Sequence, residues 1–308
     1  MNIDEGPTQS AVRRQLAEDE AKDITEGQDF TLDDKVSPLV LIATGMDLEA
    51  EQYVRYLSFD CYLIGYRRFL KSEAKKLWTH AQDRQKTKIL LRSNGLQRKI
   101  DAWTKFQVLY CPGVERLRAK SINELNLQIE LKPYEIPLWL PSQVKGQVPV
   151  SRNLQDFEWK LRYAQAHEAL RSLRHQLQVR AYLFKFKDRF VRGQGANTRA
   201  RNAISGVQGR IDAAGKEYRT AYEALESLSS ILLQVHWRDE LLPLMPEDIR
   251  DLSEGKEGES EGRRTISWIW RTVRSEGMGT TEYQLESTYQ DLSALMSCFL
   301  NYYNRIAY

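Results

Sequence analysis

The chain has 308 residues, 42% hydrophobic and 28% charged, with 45 Lys and Arg against 42 Asp and Glu, a formal net charge of +3. A mean hydropathy of -0.56 and a longest apolar run of only Pro38 to Ala43 exclude a membrane-spanning helix, which needs roughly 20 apolar residues. So small a net charge gives no global field for nucleic acid. Three scattered cysteines, Cys61, Cys111 and Cys298, give neither a disulfide framework nor a Cys-x-x-Cys pair.

Residues 1–35 are rich in Asp and Glu and poor in apolar side chains. They are expected to be a disordered acidic tail, since they can bury too little surface to offset the entropy of ordering. The alternative is one short helix near Ala11 to Ile24, capped by Ser10. The absence of an apolar signal core points to an intracellular protein. Residues 36–120 read as a helical region. In it Val36 to Thr44 is expected to be extended, and Thr44 or Asp47 opens a helix. Tyr53 to Leu70, apolar and aromatic on every side, reads as a buried helix. From about Lys75 to Tyr110 a further helix places Ile89, Leu96, Trp103 and Tyr110 at seven-residue intervals, with Ile100 and Phe106 beside them. Pro112–Gly113 stops it. Pro133, Pro137, Pro141 and Pro149 forbid a long helix over 121–150, which is expected to be an extended connector marking a domain boundary.

The clearest periodicity lies in 151–235. Trp159, Tyr163, Ala166, Leu170, Leu173, Leu177, Ala181 and Phe184 step by three or four residues, after Asn153 as a candidate N-cap. Gly193 to Asn197 interrupts the pattern. It resumes through Ile204, Val207, Ile211, Ala214, Tyr218, Ala221, Leu225, Leu228 and Leu232. Two such stripes joined by a glycine turn predict an antiparallel helical hairpin, with Leu173 and Tyr218 buried. In 236–308, Pro246 opens a short helix ending near Gly255. Gly255 to Gly262 is an acidic loop, and Ile266, Trp268, Ile269 and Trp270 form an apolar knot. Tyr283 to Tyr308 reads as a last helix with Leu285, Leu292 and Met296 inward. The predicted fold is therefore mainly α: a long, coiled-coil-like antiparallel hairpin, additional helices and a Pro-rich extended connector.

Six cations, Lys185, Lys187, Arg189, Arg192, Arg199 and Arg201, crowd the expected hairpin tip, with Asp188 alone opposing them. Phe184, Phe186 and Phe190 interleave, and Asn197 and Thr198 offer donors. Phosphate binding draws on this combination. The plainer reading is a turn kept soluble by its charges. Gly193-Gln194-Gly195 resembles the start of a phosphate-cradling loop but follows no strand and lacks the Lys-Ser/Thr ending. Glu158, Glu168 and Asp188 share one helix and are expected to pair with neighbouring arginines rather than hold metal. His80, His167, His175 and His236 include no pair at ligand spacing, and His167 reads as a partly exposed residue beside the seam. Trp159, Trp268 and Trp270 read as core. The Glu254 to Glu261 loop lacks the alternating ligands of an EF-hand. No catalytic residue, cofactor site or metal site is assigned.

Several strings resemble a known family: VSPLVLIATGMDLEAEQ (Val36 to Gln52), LRSNGLQRKIDAWTKFQVLYCPGV (Leu91 to Val114), PLWLPS (Pro137 to Ser142), FEWKLRYAQAHEALRSLRHQL (Phe157 to Leu177), YLFKFKDRFVRGQGANTRARNAI (Tyr182 to Ile204) and EGKEGESEGRRTISWIW (Glu254 to Trp270). Together they resemble the C-terminal region of the KDZ (Kyakuja-Dileera-Zisupton) transposases of mushroom-forming fungi. The resemblance covers most of 36–270. It implies descent from an enzyme that cuts and joins DNA with an Asp/Asp/Glu metal set carried on a mixed sheet. No position here matches those carboxylates or the family's cysteine cluster. Tyr53 to Lys75 and Thr280 to Tyr308 depart from the family pattern. The expectation is a non-catalytic, transposon-derived remnant that keeps DNA contact or self-association, nuclear if the family role is retained. The alternative is a helical interaction protein whose hairpin seam docks another helix, or a second copy, with no DNA role. An active transposase would need a carboxylate set that the sequence does not display.

Overall fold

The computed structural model describes residues 6–28, 30–52, 78–124, 132–251 and 266–270. Among them all regular structure is helical and no strand occurs. In chain order the helices are α1 (Gln9–Thr25), α2 (38–52), α3 (Trp78–Tyr110), α4 (Val114–Glu124), the single turn α5 (Pro141–Val144), α6 (Arg152–Phe190), α7 (Gln194–Leu232) and the short α8 (Trp237–Glu240), followed by 3-10 turns at Pro246–Asp248 and Trp268–Trp270. No helix among the described residues is long and apolar enough to cross a membrane. The readings of Tyr53 to Leu70, of the acidic 255–262 loop and of the Tyr283 to Tyr308 helix lie outside the described residues.

Two compact units divide the chain. One, the N-terminal unit, holds Thr8–Ala164 and Ala221–Val235. The other, the C-terminal unit, holds residues 6–7, Gln165–Thr220 and the described residues from His236 onward. The expected hairpin region therefore contributes to both: the first part of α6 and the last part of α7 belong to one unit, and the remainder of each helix to the other.

The N-terminal unit corrects three expectations. The acidic tail is not disordered over Gln9–Thr25. It forms α1, whose cap is Thr8 rather than Ser10, its hydroxyl accepting the Ala11 N–H at 3.2 Å. Leu16 supplies the apolar anchor at 3% exposure, and Arg13 grips Asp47 of α2 with Nη2 to Oδ1 at 2.7 Å. Second, Val36 to Thr44 is not extended. Ser37 caps α2 by accepting from the Val40 N–H, and Pro38 occupies the first turn, where its missing N–H costs nothing. Leu39, Leu41, Ile42, Met46 and Leu48 then face the core. Gly45 lets α3 approach, since a Cβ there would lie 2.7 Å from both the Trp103 ring and the Leu140 side chain.

Third, the Pro-rich segment is not a boundary. Over 132–140 it is non-helical, as the prolines require, yet Leu138 and Leu140 are buried beside Leu96, Ile100 and Trp103 of α3. Its carbonyls cannot be satisfied within a helix, so two glutamines satisfy them. The Gln52 amide donates to Pro133 O and Ile136 O at 2.9 and 2.8 Å, and the Gln107 amide to Leu138 O and Trp139 O at 3.0 and 2.8 Å. Cys111 closes α3 as a buried thiol whose pKa desolvation pushes up to about 11.

A buried ionic cluster joins α2, α5 and α6. Arg162 and Glu158, one turn apart on α6, are 1% and 0% exposed at their side chains. The Arg162 guanidinium donates to Glu158 Oε1 at 3.2 Å and to Glu49 Oε2 at 2.5 Å. Glu158 also accepts from the Ser142 N–H at 2.8 Å and the Ser142 hydroxyl at 2.6 Å, and the Gln143 amide reaches Glu49 at 2.8 Å. Burial pushes Glu158 up from the ordinary carboxylate range, against the pull of Arg162 and Ser142. Burial alone would lower Arg162, but the two carboxylates reverse this and raise it.

The hairpin is as the spacing predicts. Helices of 39 residues each run antiparallel, and the side-chain bonds between them descend in opposite register. In the N-terminal unit Trp159 Nε1 donates to Ser229 Oγ at 3.2 Å. In the C-terminal unit the Gln165 amide reaches Glu217 at 3.4 Å, and Arg180 Nη1 reaches Gln208 at 2.9 Å. Leu173, Leu177, Ile211 and Tyr218 are all at 0% exposure. Residues after α7 complete the C-terminal unit. Tyr218 donates its hydroxyl to Leu242 O at 2.6 Å and meets the Trp268 ring at 5.9 Å; Arg219 Nε donates to Leu244 O at 3.0 Å; and Trp270 Nε1 donates to Arg250 O at 2.9 Å. Trp268 and Trp270 are half-buried against this unit, Ile269 alone of the expected knot is fully buried, and Ile266 is exposed. The helix expected from Pro246 to Gly255 is only a 3-10 turn at Pro246–Asp248 in its described part.

Two expectations follow. Arg162→Leu strands the buried Glu158 and lowers unfolding stability by about 3 kcal/mol or more, whereas Glu158→Gln, which still accepts from Ser142, costs clearly less; urea unfolding of the two variants measures the difference. The second concerns His167, held below its ordinary pKa of 6.5 by burial, with Glu240 opposing and Arg174 and Arg171 adding to the effect. The unfolded chain therefore takes up this proton first, and the stability linked to His167 falls as pH drops below about 6.5. Urea midpoints at pH 7.5 and 5.5 fall further apart for the parent than for His167→Gln.

Candidate nucleic-acid interface

The tip belongs wholly to the C-terminal unit. Lys185, Lys187 and Arg189 lie in the last turns of α6, Arg192 in the connecting turn, and Arg199 and Arg201 in the second and third turns of α7. The turn is short: α6 ends at Phe190, and Gly193 adopts φ 84°, a left-handed conformation that lets α7 begin one residue later. Five of the six cations are exposed and Lys187 is half-buried. Asp188 is exposed as well, and among the described residues none of the six cations forms an ion pair with a side chain. Arg192 is the one oriented by the fold, its Nη1 donating to Asp188 O at 3.1 Å and Val191 O at 3.2 Å, carbonyls that the end of α6 leaves without a helical partner.

Helix electrostatics account for part of this charge. Lys187 and Arg189 complement the negative end of the α6 dipole. Arg199 and Arg201 have no such role, since α7 presents its positive end to the tip and carries no acidic residue in its first turn. Those two cations add to a field that the helices themselves do not neutralise.

Two donors expected at the tip are already engaged. The Asn197 amide donates to Gly193 O and the Thr198 hydroxyl to Gln194 O, both at 3.0 Å. Both bond back to carbonyls one turn earlier at the start of α7, which fixes their side chains along the helix. Gly193-Gln194-Gly195 likewise serves as a helix-to-helix turn, with Gly195 inside the first turn of α7.

The aromatic residues divide by helical face. Phe184 continues the seam but emerges from it, 43% exposed. Phe186 belongs instead to a ladder with Tyr182 and Phe190, its ring 6.5 Å from the first and 5.3 Å from the second. Phe190 is 68% exposed. The sequence reading grouped the three phenylalanines and missed Tyr182; four-residue spacing from Tyr182 through Phe186 to Phe190 is the signal that would have found it.

Elsewhere, Glu158 pairs with Arg162, as expected of a helix carboxylate beside an arginine, and is far too buried to meet a ligand. His167 is partly exposed and lies 3.6 Å from Glu240. Among the described residues no group of three His, Cys, Asp or Glu side chains converges as a metal site would. The Glu254 to Glu261 loop, with Arg263 and Arg264, lies outside the described residues. No protein-family model, no curated protein and no solved structure matches this chain.

Proposed function

We propose that this chain is a non-catalytic protein of transposase descent that contacts the nucleic-acid backbone through the tip of its α6–α7 hairpin. The observation that carries the reading is the tip itself: six cations opposed by one carboxylate, unpaired with acidic side chains among the described residues, on a turn fixed by Gly193. On a protein with a net charge of only +3, this concentration is local rather than general. A nuclear location follows from the same reading.

The alternative, a hairpin whose seam docks a partner helix or a second copy, has less support. Leu173, Leu177, Ile211, Tyr218, Leu225 and Leu228 are each fully buried by the chain's own residues. A partner would have to displace them.

The test is a mobility-shift titration of the full chain with duplex DNA at two salt concentrations. Weak binding without sequence preference is expected, on the order of 10⁻⁶ to 10⁻⁴ M near physiological salt. Not all six cations can face one duplex, so three or four contacts give a log-log salt slope of about -3. Lys185, Lys187 and Arg189 changed together to Ala weaken binding and flatten the slope. Equal binding by this variant and the parent reduces the tip to a solvated turn. Salt-insensitive oligomers with no DNA retention favour the interaction reading instead.

A further inference from the structure

The aromatic ladder adds something the cations alone do not. At about 100° per residue, Tyr182, Phe186 and Phe190 fall within roughly 80° of one another around α6. Leu173 and Leu177, which face α7, lie on the roughly opposite side of the helix. The ladder is therefore turned away from the seam, and its last ring, Phe190, is 68% exposed. Lys185 and Arg189 form a parallel four-residue stripe directly beside it. The arrangement is a row of aromatic rings bordered by a row of cations, along one face of one helix.

Tyr182 and Phe186 are half-buried, but Phe190 is exposed, and a turn needing only solubility would not place a large apolar ring at its outermost position. An aromatic face with cations along its border suits a ligand with flat apolar surfaces on one side and anionic groups on the other. Unpaired nucleotides have this character: bases stack on the rings while phosphates meet the cations. A duplex does not, because its base faces are already stacked on one another.

We propose that the α6 end of the hairpin tip is a single-strand-preferring nucleic-acid site, in which Phe190, backed by Phe186 and Tyr182, stacks on an unpaired base while Lys185 and Arg189 hold the adjoining phosphates. This rests on the proposed backbone contact and names the form of nucleic acid that contact serves. Phe190 stands at the end of the ladder, where one ring face has no neighbour in it. Arg192, oriented by the α6 carbonyls just beyond, extends the cationic border around the turn.

The experiment measures fluorescence anisotropy of the full chain with a labelled oligothymidylate and with the same strand annealed to oligoadenylate, for the parent, Phe190→Ala, Phe190→Trp and the Lys185/Lys187/Arg189→Ala triple variant. The exposed position of Phe190 makes its replacement harmless to folding, which circular dichroism checks. The parent binds the single strand more tightly than the duplex. Phe190→Ala loses about fivefold or more in single-strand affinity while duplex affinity stays within about twofold, and Phe190→Trp restores binding. The triple variant loses both forms. Salt-dependent binding to duplex at least as tight as to single strand, or indifference to Phe190→Ala, overturns the stacking site and leaves the backbone contact standing. Failure of the parent to bind either form overturns both. A dimer that Phe190→Ala dissociates, or capture of anionic vesicles in place of oligonucleotides, assigns the ladder another occupant and equally overturns the proposal.

Discussion

Each unit depends on the apolar stripe shared by α6 and α7. Neither helix can expose a face of leucine, isoleucine and tyrosine over most of its length, and pairing antiparallel covers only one side of that face. The remaining coverage defines the units. Around 152–164 and 221–232 the N-terminal helices and the chain at 132–140 supply it; around 165–220 the segments after α7 supply it, through Trp268, Ile269, Leu241 and Leu244. Where the stripe thins, the constraint lapses. Leu177 and Val207 are buried, Ala181 and Ile204 are half-buried, and Phe184 is exposed. Beyond that point packing no longer dictates side-chain choice, and charge accumulates.

Polar residues inside the N-terminal unit do a different job. A helix core needs no glutamine or arginine to be apolar and close-packed, and burying such groups carries a desolvation cost that partners must offset. Gln52 and Gln107 offset it by fixing chain that lacks regular structure, and Arg162 by pairing with Glu49 of α2 and Glu158 of α6. The two glutamines occupy carbonyls that prolines have removed from any helix ladder, and Glu158 holds the N–H and hydroxyl of Ser142 at the start of α5. Apolar residues of similar volume would fill the space without setting the register of this segment against α2, α3 and α6.

The hairpin was legible because its signal is long: more than fifty residues of three-and-four spacing average out local noise. The shorter elements were read less well. Ser37-Pro38 is a helix start in its own right, yet the run from Leu39 to Ala43, buried on most sides, loses the periodicity that separates helix from strand. The prolines of 132–141 correctly forbade helix but said nothing about burial, since the residues that make the segment internal, Gln52 and Gln107, are 81 and 31 positions away from the carbonyls they serve. In α6 the polar pair Glu158 and Arg162 occupies the buried face, while Trp159 and Tyr163, read as seam, are half-buried and stack on each other at 5.4 Å. At the tip the cations could be read from composition, but the engagement of Asn197 and Thr198 and the division of the aromatic residues between two faces depend on where α6 ends.

Cys111 carries a practical consequence. With its thiol raised to about 11, only about one molecule in ten thousand holds the reactive thiolate at pH 7, and the side chain is 3% exposed. Alkylating reagents therefore reach it only when the end of α3 opens. Its rate of labelling, followed peptide by peptide in a mass spectrometer, becomes a clock for local breathing in the N-terminal unit. The clock reads the end of α3 beside the Gln107 clamp, in the intact chain and without any introduced probe.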